Sequence, residues 1–276
     1  MQMTHPERLS SRWALSAFAE PVVTRYALTP KAWPAGQILR IAAIADLHAG
    51  APLMRLDRVA RIVAAANALT PDLMVLLGDY GPVSPLVRRP YARDEVAGLL
   101  GQLRAPLGVF GIAGNHDWWE DKPAMARLSG GPEWLSALAR HGITPLRNEA
   151  RRLAAGFWLA GLDSQMVFRR RNEADLPGTL AQITDAAPVI LLAHEPDIFA
   201  TLPDRVALTL SGHTHGGQLR ILGYSPCVPS RFGNRYAYGR VREGGRELIV
   251  SGGLGTSVLP LRIGVPPEIV EVTLGG

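Results

Sequence analysis

Apolar residues recur along the chain in short runs, separated by polar loops and by stretches with helical spacing. Ile38 to Ala45 is a mainly apolar run between Gly36 and Asp46, the pattern of a strand buried on both faces. Leu56, Val59, Val63, Ala66 and Leu69 follow at intervals of three and four, which predicts a helix with one apolar face. Leu73 to Leu77 reads as a second buried strand, and Val96, Leu99, Leu100 and Leu103 as a second helical stripe. Leu107 to Ala113 predicts a third strand. Pro132 to Arg140 predicts a helix, with proline at its start and Gly142 just past its end.

The second half is richer in strands. Phe157 to Leu162, Val189 to Ala193 and Val206 to Leu210 are short apolar runs, and Ile269 to Leu274 closes the series. Arg235 to Arg242 and Arg246 to Ser251 flank Glu243-Gly244-Gly245, which predicts a hairpin. Val22 to Leu28 is expected as a leading strand paired with the Ile38 segment. No internal repeat or long linker divides the pattern, so one α/β domain is expected over 1–276. Residues 1–21 form an N-terminal extension with room for a helix, and 22–276 the core.

Composition narrows this picture. At 276 residues with 47% hydrophobic content, the chain can bury a core without disulfides, and Cys227 alone makes no internal bridge. No apolar run approaches the ~20 residues that cross a bilayer. Glu20 and Pro21 close the stretch Trp13 to Ala19 too early for a signal peptide, so a cytoplasmic location is expected, with peripheral contact at the inner membrane left open. The net charge of +5 comes from arginine, since Lys31 and Lys122 are the only lysines among 29 basic residues. The clusters Arg88-Arg89, Arg151-Arg152 and Arg169-Arg170-Arg171 are scattered, so no specific nucleic-acid partner is expected. Oligomeric state is not legible.

The chemistry lies in loops that end the strands: Asp46-Leu47-His48, Gly78-Asp79, Gly114-Asn115-His116-Asp117, His194-Glu195 and Gly212-His213-Thr214-His215. Asp46 and His48, like His213 and His215, stand two apart, which on extended chain aims each pair at one point. Asp46, His48, Asp79, Asn115, His194, His213 and His215 supply seven donors, too many for one tetrahedral zinc. Two ions fit if Asp79 bridges them, which is the make-up of a two-metal hydrolytic site. Two divalent cations against Asp46, Asp79 and a bridging hydroxide leave a positive balance that suits a phosphate anion. His116 is the spare imidazole, a candidate to protonate the leaving oxygen, with Asp117 expected to hold its other ring nitrogen.

The ordered blocks D-x-H, G-D, G-N-H-D, H and G-H-T-H, from residue 46 to 215, resemble the calcineurin-like metallophosphoesterase superfamily. Within it the chain is most similar to bacterial YaeI- and YkuE-type phosphodiesterases. That resemblance rests further on His194-Glu195-Pro196-Asp197 and on the run from Gly253 to Ile269. It implies a four-layer α/β sandwich of two mixed β-sheets flanked by helices. One metal would take Asp46, His48, Asp79 and His215, and the other Asp79, Asn115, His194 and His213. Manganese is the first choice, with iron or zinc as alternatives. A phosphodiester or a lipid-linked pyrophosphate is the implied substrate, attacked by the bridging hydroxide. The rival readings are a noncatalytic metal-binding scaffold and a nuclease. The segment Gln165 to Arg171 departs from the shorter, tryptophan-containing loop of the relatives. Trp118-Trp119, Tyr80, Arg231, Tyr238 and the glycine run from Gly252 are further candidates to line the site.

Overall fold

The computed structural model describes residues 16–127, 130–167 and 172–275. In chain order the strands are β1 (Val22–Leu28), β2 (Leu39–Ile44), β3 (Gly50–Ala51), β4 (Leu73–Leu76), β5 (Arg89–Pro90), β6 (Val109–Gly111) and β7 (Thr144–Pro145). They continue with β8 (Glu149–Arg152), β9 (Trp158–Gly161), β10 (Val189–Leu192), β11 (Val206–Ser211), β12 (Gly239–Glu243), β13 (Arg246–Val250) and β14 (Glu268–Leu274). The helices are α1 (Leu56–Ala68), α2 (Arg93–Leu100), α3 (Asn115–Trp119), α4 (Lys122–Arg127), α5 (Glu133–Arg140) and α6 (Leu176–Ala181).

One sheet has the order β1-β14-β2-β4-β6-β7 and the other β12-β13-β11-β10-β9-β8. Both are mixed: β2, β4, β6 and β7 run parallel, as do β9, β10, β11 and β13, with antiparallel pairs at β14–β2, β12–β13 and β8–β9. Side-chain alternation along the central strands builds the layers. Ile41, Ala43, Leu73 and Val75 of the first sheet pack with Leu159, Ile190, Leu208 and Ile249 of the second, forming the core between them. Their neighbours Ala42, Ile44, Met74 and Leu76 pack outward with Val59 and Ile62 of α1, Leu100 of α2 and Leu138 of α5. On the far side, Leu191, Leu248 and Val250 pack with Phe199 and Tyr236, and α6 adds Leu176 and Leu180. The result is the expected four-layer arrangement of two mixed sheets flanked by helices.

Three expectations need correction. β1 does not pair with β2: it lies parallel to β14, which inserts between them and runs antiparallel to β2. That pairing joins residues more than two hundred positions apart, so it leaves no local signature. Arg235 and Tyr236 belong to a 3-10 turn, Gly233–Tyr236, and β12 begins only at Gly239, whose φ of 80° breaks the earlier run from the strand. Residues 16–20 make a turn rather than a helix, tied by the Ser16 N–H to the Arg262 carbonyl. The rest of the N-terminal extension, 1–15, lies outside the described residues, as does Arg169-Arg170-Arg171.

Ile41 has no exposed surface and sits between the sheets. Ile41→Ala is expected to cost about 2–5 kcal/mol in urea unfolding, because tightly paired sheets cannot collapse into the vacated space.

Candidate metal centre

The segments that follow β2, β4, β6, β10 and β11 carry all seven candidate donors, with Asn115 the first residue of α3 and His215 the first of a 3-10 turn. Lateral backbone hydrogen bonds carry the pairing past the strand ends. Asp46 N–H donates to Gly78 O, His48 N–H to Asp79 O, and Gly212 N–H to His194 O. Asp46 and His48 are not on extended chain, and neither are His213 and His215. Their φ angles are 51°, 47°, 69° and 51°, and Asp79 has 59°. Left-handed backbone is uncommon for residues with a Cβ, and here it turns each side chain sharply inward at the strand terminus. The expected convergence therefore arises by a turn instead of by strand alternation.

Glycine makes room for these turns. A Cβ on Gly114 would stand 2.2 Å from Asp79 Oδ1, and one on Gly253 would stand 2.7 Å from the Asp46 Cβ. The glycine run after β13 thus closes over Asp46, and Gly255 N–H donates to the Asp46 carbonyl at 2.7 Å.

The donors gather in two groups joined by Asp79. At one end His48 Nε2 lies 3.1 Å from His215 Nε2, which is 3.7 Å from Asp46 Oδ1. At the other end Asn115 Oδ1 lies 2.8 Å from His213 Nδ1 and 3.1 Å from His194 Nε2. Asp79 Oδ2 stands between, 3.7 Å from His48 Nε2 and 3.3 Å from His194 Nε2. All seven side chains are buried. Clusters able to hold divalent metal are therefore present at both ends. Glu195 also falls within reach of His194 and His213. Its carboxylate accepts from Ser164 Oγ–H at 2.5 Å and Gln165 N–H at 2.9 Å, whereas Asn115 Oδ1 and Asp79 Oδ2 face the two rings directly.

Backbone carbonyls fix which ring nitrogen faces inward. His48 Nδ1 bonds Gly81 O at 3.0 Å, His194 Nδ1 bonds Leu77 O at 2.6 Å, and His213 Nε2 bonds Pro229 O at 3.0 Å. A carbonyl only accepts, so each of these nitrogens carries a proton and the opposite nitrogen points at the cluster. Arg262 was not anticipated from the sequence. Its guanidinium is fully buried, with Nη2 3.2 Å from His215 Nδ1 and further bonds to Gly255 O. A guanidinium only donates, so His215 Nδ1 accepts and the ring proton sits on Nε2, directed at His48.

The electrostatics favour a cation in the same way. Burial pushes Asp46 up to about 7, against the pull of the His194 charge and with Asp79 adding to the rise. Burial also works to raise Asp79, but the charge and hydrogen bond of His194 outweigh it and hold the carboxyl well below its usual range. His194 is correspondingly raised well above the usual imidazole value by Asp79, in spite of its burial. Burial drives His48 down to about 4 and lowers His213 and His215 as well. A neutral His213 then turns its Nδ1 lone pair to the Asn115 carbonyl oxygen at 2.8 Å, a repulsive pairing that a shared cation relieves. Asp46 Oδ2 is buried with no hydrogen-bond partner. The residues present thus fit two divalent ions, in oxygen and nitrogen donors alone.

His116 is half-buried beside the cluster, its ring edge-on to His48 at 5.6 Å and to Trp119 at 4.8 Å. Its backbone N–H donates to Asp79 Oδ1, and its Nδ1 is buried without a partner. Asp117 does not hold that ring. Its two oxygens accept the N–H of Gly114, the residue that caps α3, and the N–H groups of Asp79 and Tyr80 from the loop after β4. Asp117 therefore orders the Asp79 loop. Tyr80 and Trp118 also turn away from the site: Tyr80 is packed on Trp134 with its hydroxyl on Ile112 O, and Trp118 is buried on Asp163. Tyr238 donates to buried Glu268, and Arg231 pairs with Asp197.

A family model described as calcineurin-like phosphoesterase matches residues 39–217, which span every donor. The chain is 33% identical over 243 residues to the metallophosphoesterase YkuE of Bacillus subtilis, covering 85% of this chain and 78% of that protein. It is 32% identical to a metallophosphoesterase of Aquifex aeolicus, over 92% of both chains. A transmembrane protein with a metallophosphoesterase domain from Danio rerio is 30% identical over 86% of this chain, which spans about half (53%) of that protein. With strand-end loops, donor set and family model in agreement over the same residues, this chain belongs to the calcineurin-like metallophosphoesterase superfamily.

Proposed function

We propose that the chain is a two-metal phosphoesterase that hydrolyses phosphodiester or pyrophosphate bonds, with manganese as its resident metal. The observation that carries the reading is the position of Asp79 Oδ2, within 3.7 Å of His48 Nε2 and 3.3 Å of His194 Nε2, facing both donor groups. When bound, two divalent cations supply Lewis-acid polarisation of phosphoryl oxygens and activation of water. Asp46, His48, Asp79 and His215 hold one ion, and Asp79, Asn115, His194 and His213 the other.

The protein's own part is to keep that site rigid and positive. Gly81, Leu77 and Pro229 carbonyls lock three ring orientations. Asn115 gives a neutral oxygen where a third carboxylate would cancel positive charge, so two carboxylates face two divalent ions and a phosphate anion is attracted. His116, wedged against Trp119, delivers a proton to the departing oxygen. The Trp119 indole N–H is fixed on the Met166 and Val167 carbonyls at 2.9 Å, which limits how far the His116 ring can turn.

With manganese added, purified protein is expected to hydrolyse bis-p-nitrophenyl phosphate faster than the monoester; no turnover with two bound metals overturns the reading. His116→Ala is expected to keep both metals and to lose roughly a hundred- to ten-thousand-fold in rate on esters with poor leaving groups. Equal rates for variant and parent on such esters would remove His116 from the chemistry. Asp79→Ala is expected to lose metal at both ends, measured by elemental analysis of dialysed protein.

Metal binding also has a definite pH dependence. Asp46 stays protonated up to about 7 and His194 above its ordinary value, and both must release their protons to ligate. Affinity is therefore expected to rise with pH, losing about tenfold per unit below 7 for each proton displaced. Calorimetry in buffers of different ionisation heat counts those protons, and a pH-independent affinity would contradict the assignment.

A further inference from the structure

Three segments running on from the metal-ligand loops meet on one face. Residues 82–90 follow Gly81, residues 218–224 follow His215, and residues 255–263 carry Arg262. They are stitched together: Ser84 Oγ–H donates to Val258 O at 2.6 Å, Ser257 N–H to Gln218 Oε1 at 2.6 Å, and Arg220 N–H to Ile263 O at 2.8 Å. The turn at residues 16–20 joins them through Ser16 and Arg262. A cavity between these segments is walled by Phe18, Val87 and Pro260 and reaches His48.

The outward side chains of this face are apolar. Phe18, Leu86, Ile221, Leu222, Val258 and Leu259 are between 49% and 88% exposed, and Leu222 is the most exposed of them. Single exposed apolar residues are ordinary, but six on segments bonded to one another form a patch of the kind that marks an interaction surface. Two of the six are held at unusual cost. Leu222 has φ 49° and Val258 φ 59°, a conformation a β-branched residue rarely adopts. At Leu222 the positive φ belongs to the two-residue turn Leu222-Gly223 between the mutually bonded Ile221 and Tyr224, which leaves the leucine side chain at the turn's tip, in water.

The charge on the face is mainly positive, and Glu20 of the turn is paired with Arg61 at 3.0 Å. Residues 80–93, 214–242 and 248–267 contain no aspartate or glutamate, while Arg88 and Arg89 are exposed beside Leu86. A second copy placed symmetrically on this face would set those arginines against each other. The chain's own residues 1–15 carry Arg8 and Arg12 against Glu7, the same sign again. A partner that is apolar inside and anionic at its surface satisfies both features, and separate aliphatic tips suit a fluid surface better than a shaped pocket.

We propose that this face is a docking surface for an anionic lipid bilayer. Leu222, Val258 and their neighbours insert among the acyl chains, and Arg88 and Arg89 meet the headgroup phosphates. The proposal is independent of turnover at the metal centre.

The test is co-sedimentation of the full chain with vesicles of phosphatidylcholine alone and of phosphatidylcholine with phosphatidylglycerol. Binding is expected to the anionic vesicles, weakened by salt. The double variant Leu222→Asn, Val258→Asn removes two inserted side chains and places at each position a residue that tolerates positive φ. Its thermal stability is expected to be unchanged or higher, while its vesicle affinity falls about tenfold or more. Arg88→Gln with Arg89→Gln is expected to erase the preference for anionic vesicles. Wild-type protein remaining in the supernatant, or the asparagine variant binding like wild type, would overturn the proposal. So would self-association that the asparagine variant abolishes without any vesicle binding, which would reassign the face to a second copy.

Discussion

Two carboxylates and four imidazoles lie in the interior with their inward atoms turned toward one another, and the surrounding loops are organised to keep them there. Such groups are costly to bury without partners. Asp79 and His194 offset part of that cost as a pair, each holding the other charged. Asp46 does not share in it and is driven toward its neutral form. The arrangement therefore carries an unmet demand for positive charge at Asp46 and at the His213–Asn115 contact. Cation binding at these points is the arrangement's own electrostatic resolution.

Holding the donors in place also strains the backbone. Five of the seven donor residues adopt left-handed φ angles, each at a cost of about 1–2 kcal/mol for a residue bearing a Cβ. They persist because the flanking backbone is bonded from the side. Gly78, Asp79 and Tyr80 carbonyls accept from Asp46, His48 and Ala49. Asp117 gathers three further N–H groups around the same loop. The C-terminal segment closes the other flank, where Leu254 and Gly255 donate to Ala45 and Asp46. That closure depends on β14 lying between β1 and β2, since Glu268 at its start donates its N–H to Gly253 O. The topology and the site are thus one construction: displacing β14 would uncover Asp46.

The gathering of the seven candidate donors was legible in the sequence because aspartate, asparagine and histidine stand in short loops at strand ends, and residue type and spacing record both. The central strands were equally legible, since runs such as Leu73–Leu76 and Val189–Leu192 are buried on both faces. β8 was not: Glu149-Ala150-Arg151-Arg152 has two exposed arginines on an edge strand and no apolar run to reveal it. The position of β14 was hidden for a different reason, being a pairing between chain ends. Asp117 adjoins His116 in sequence but serves the backbone instead: as the third residue of a short helix it reaches back to Gly114 N–H and across to the loop of Asp79 and Tyr80, contacts between distant segments that leave no mark in the sequence. Arg262 gave no signal at all. A single arginine in an apolar stretch looks like a surface residue, and only the fold shows it bonded to His215 and Gly255.

The arginine excess also changes meaning once its distribution is known. Away from the metal centre many arginines face carboxylates: Arg61 with Glu20 and Asp57, Arg140 with Asp94 and Glu133, Arg152 with Asp185, Arg235 with Glu243. These exposed pairs add little stability, but they leave little free charge on those surfaces. Residues 82–90, 218–224 and 255–263, beside the metal centre, contain no carboxylate of their own. The net +5 is accordingly not spread evenly. Arg88 and Arg89 stand exposed in such a stretch, so the apolar face beside the metal centre carries positive charge that no carboxylate of its own segment offsets.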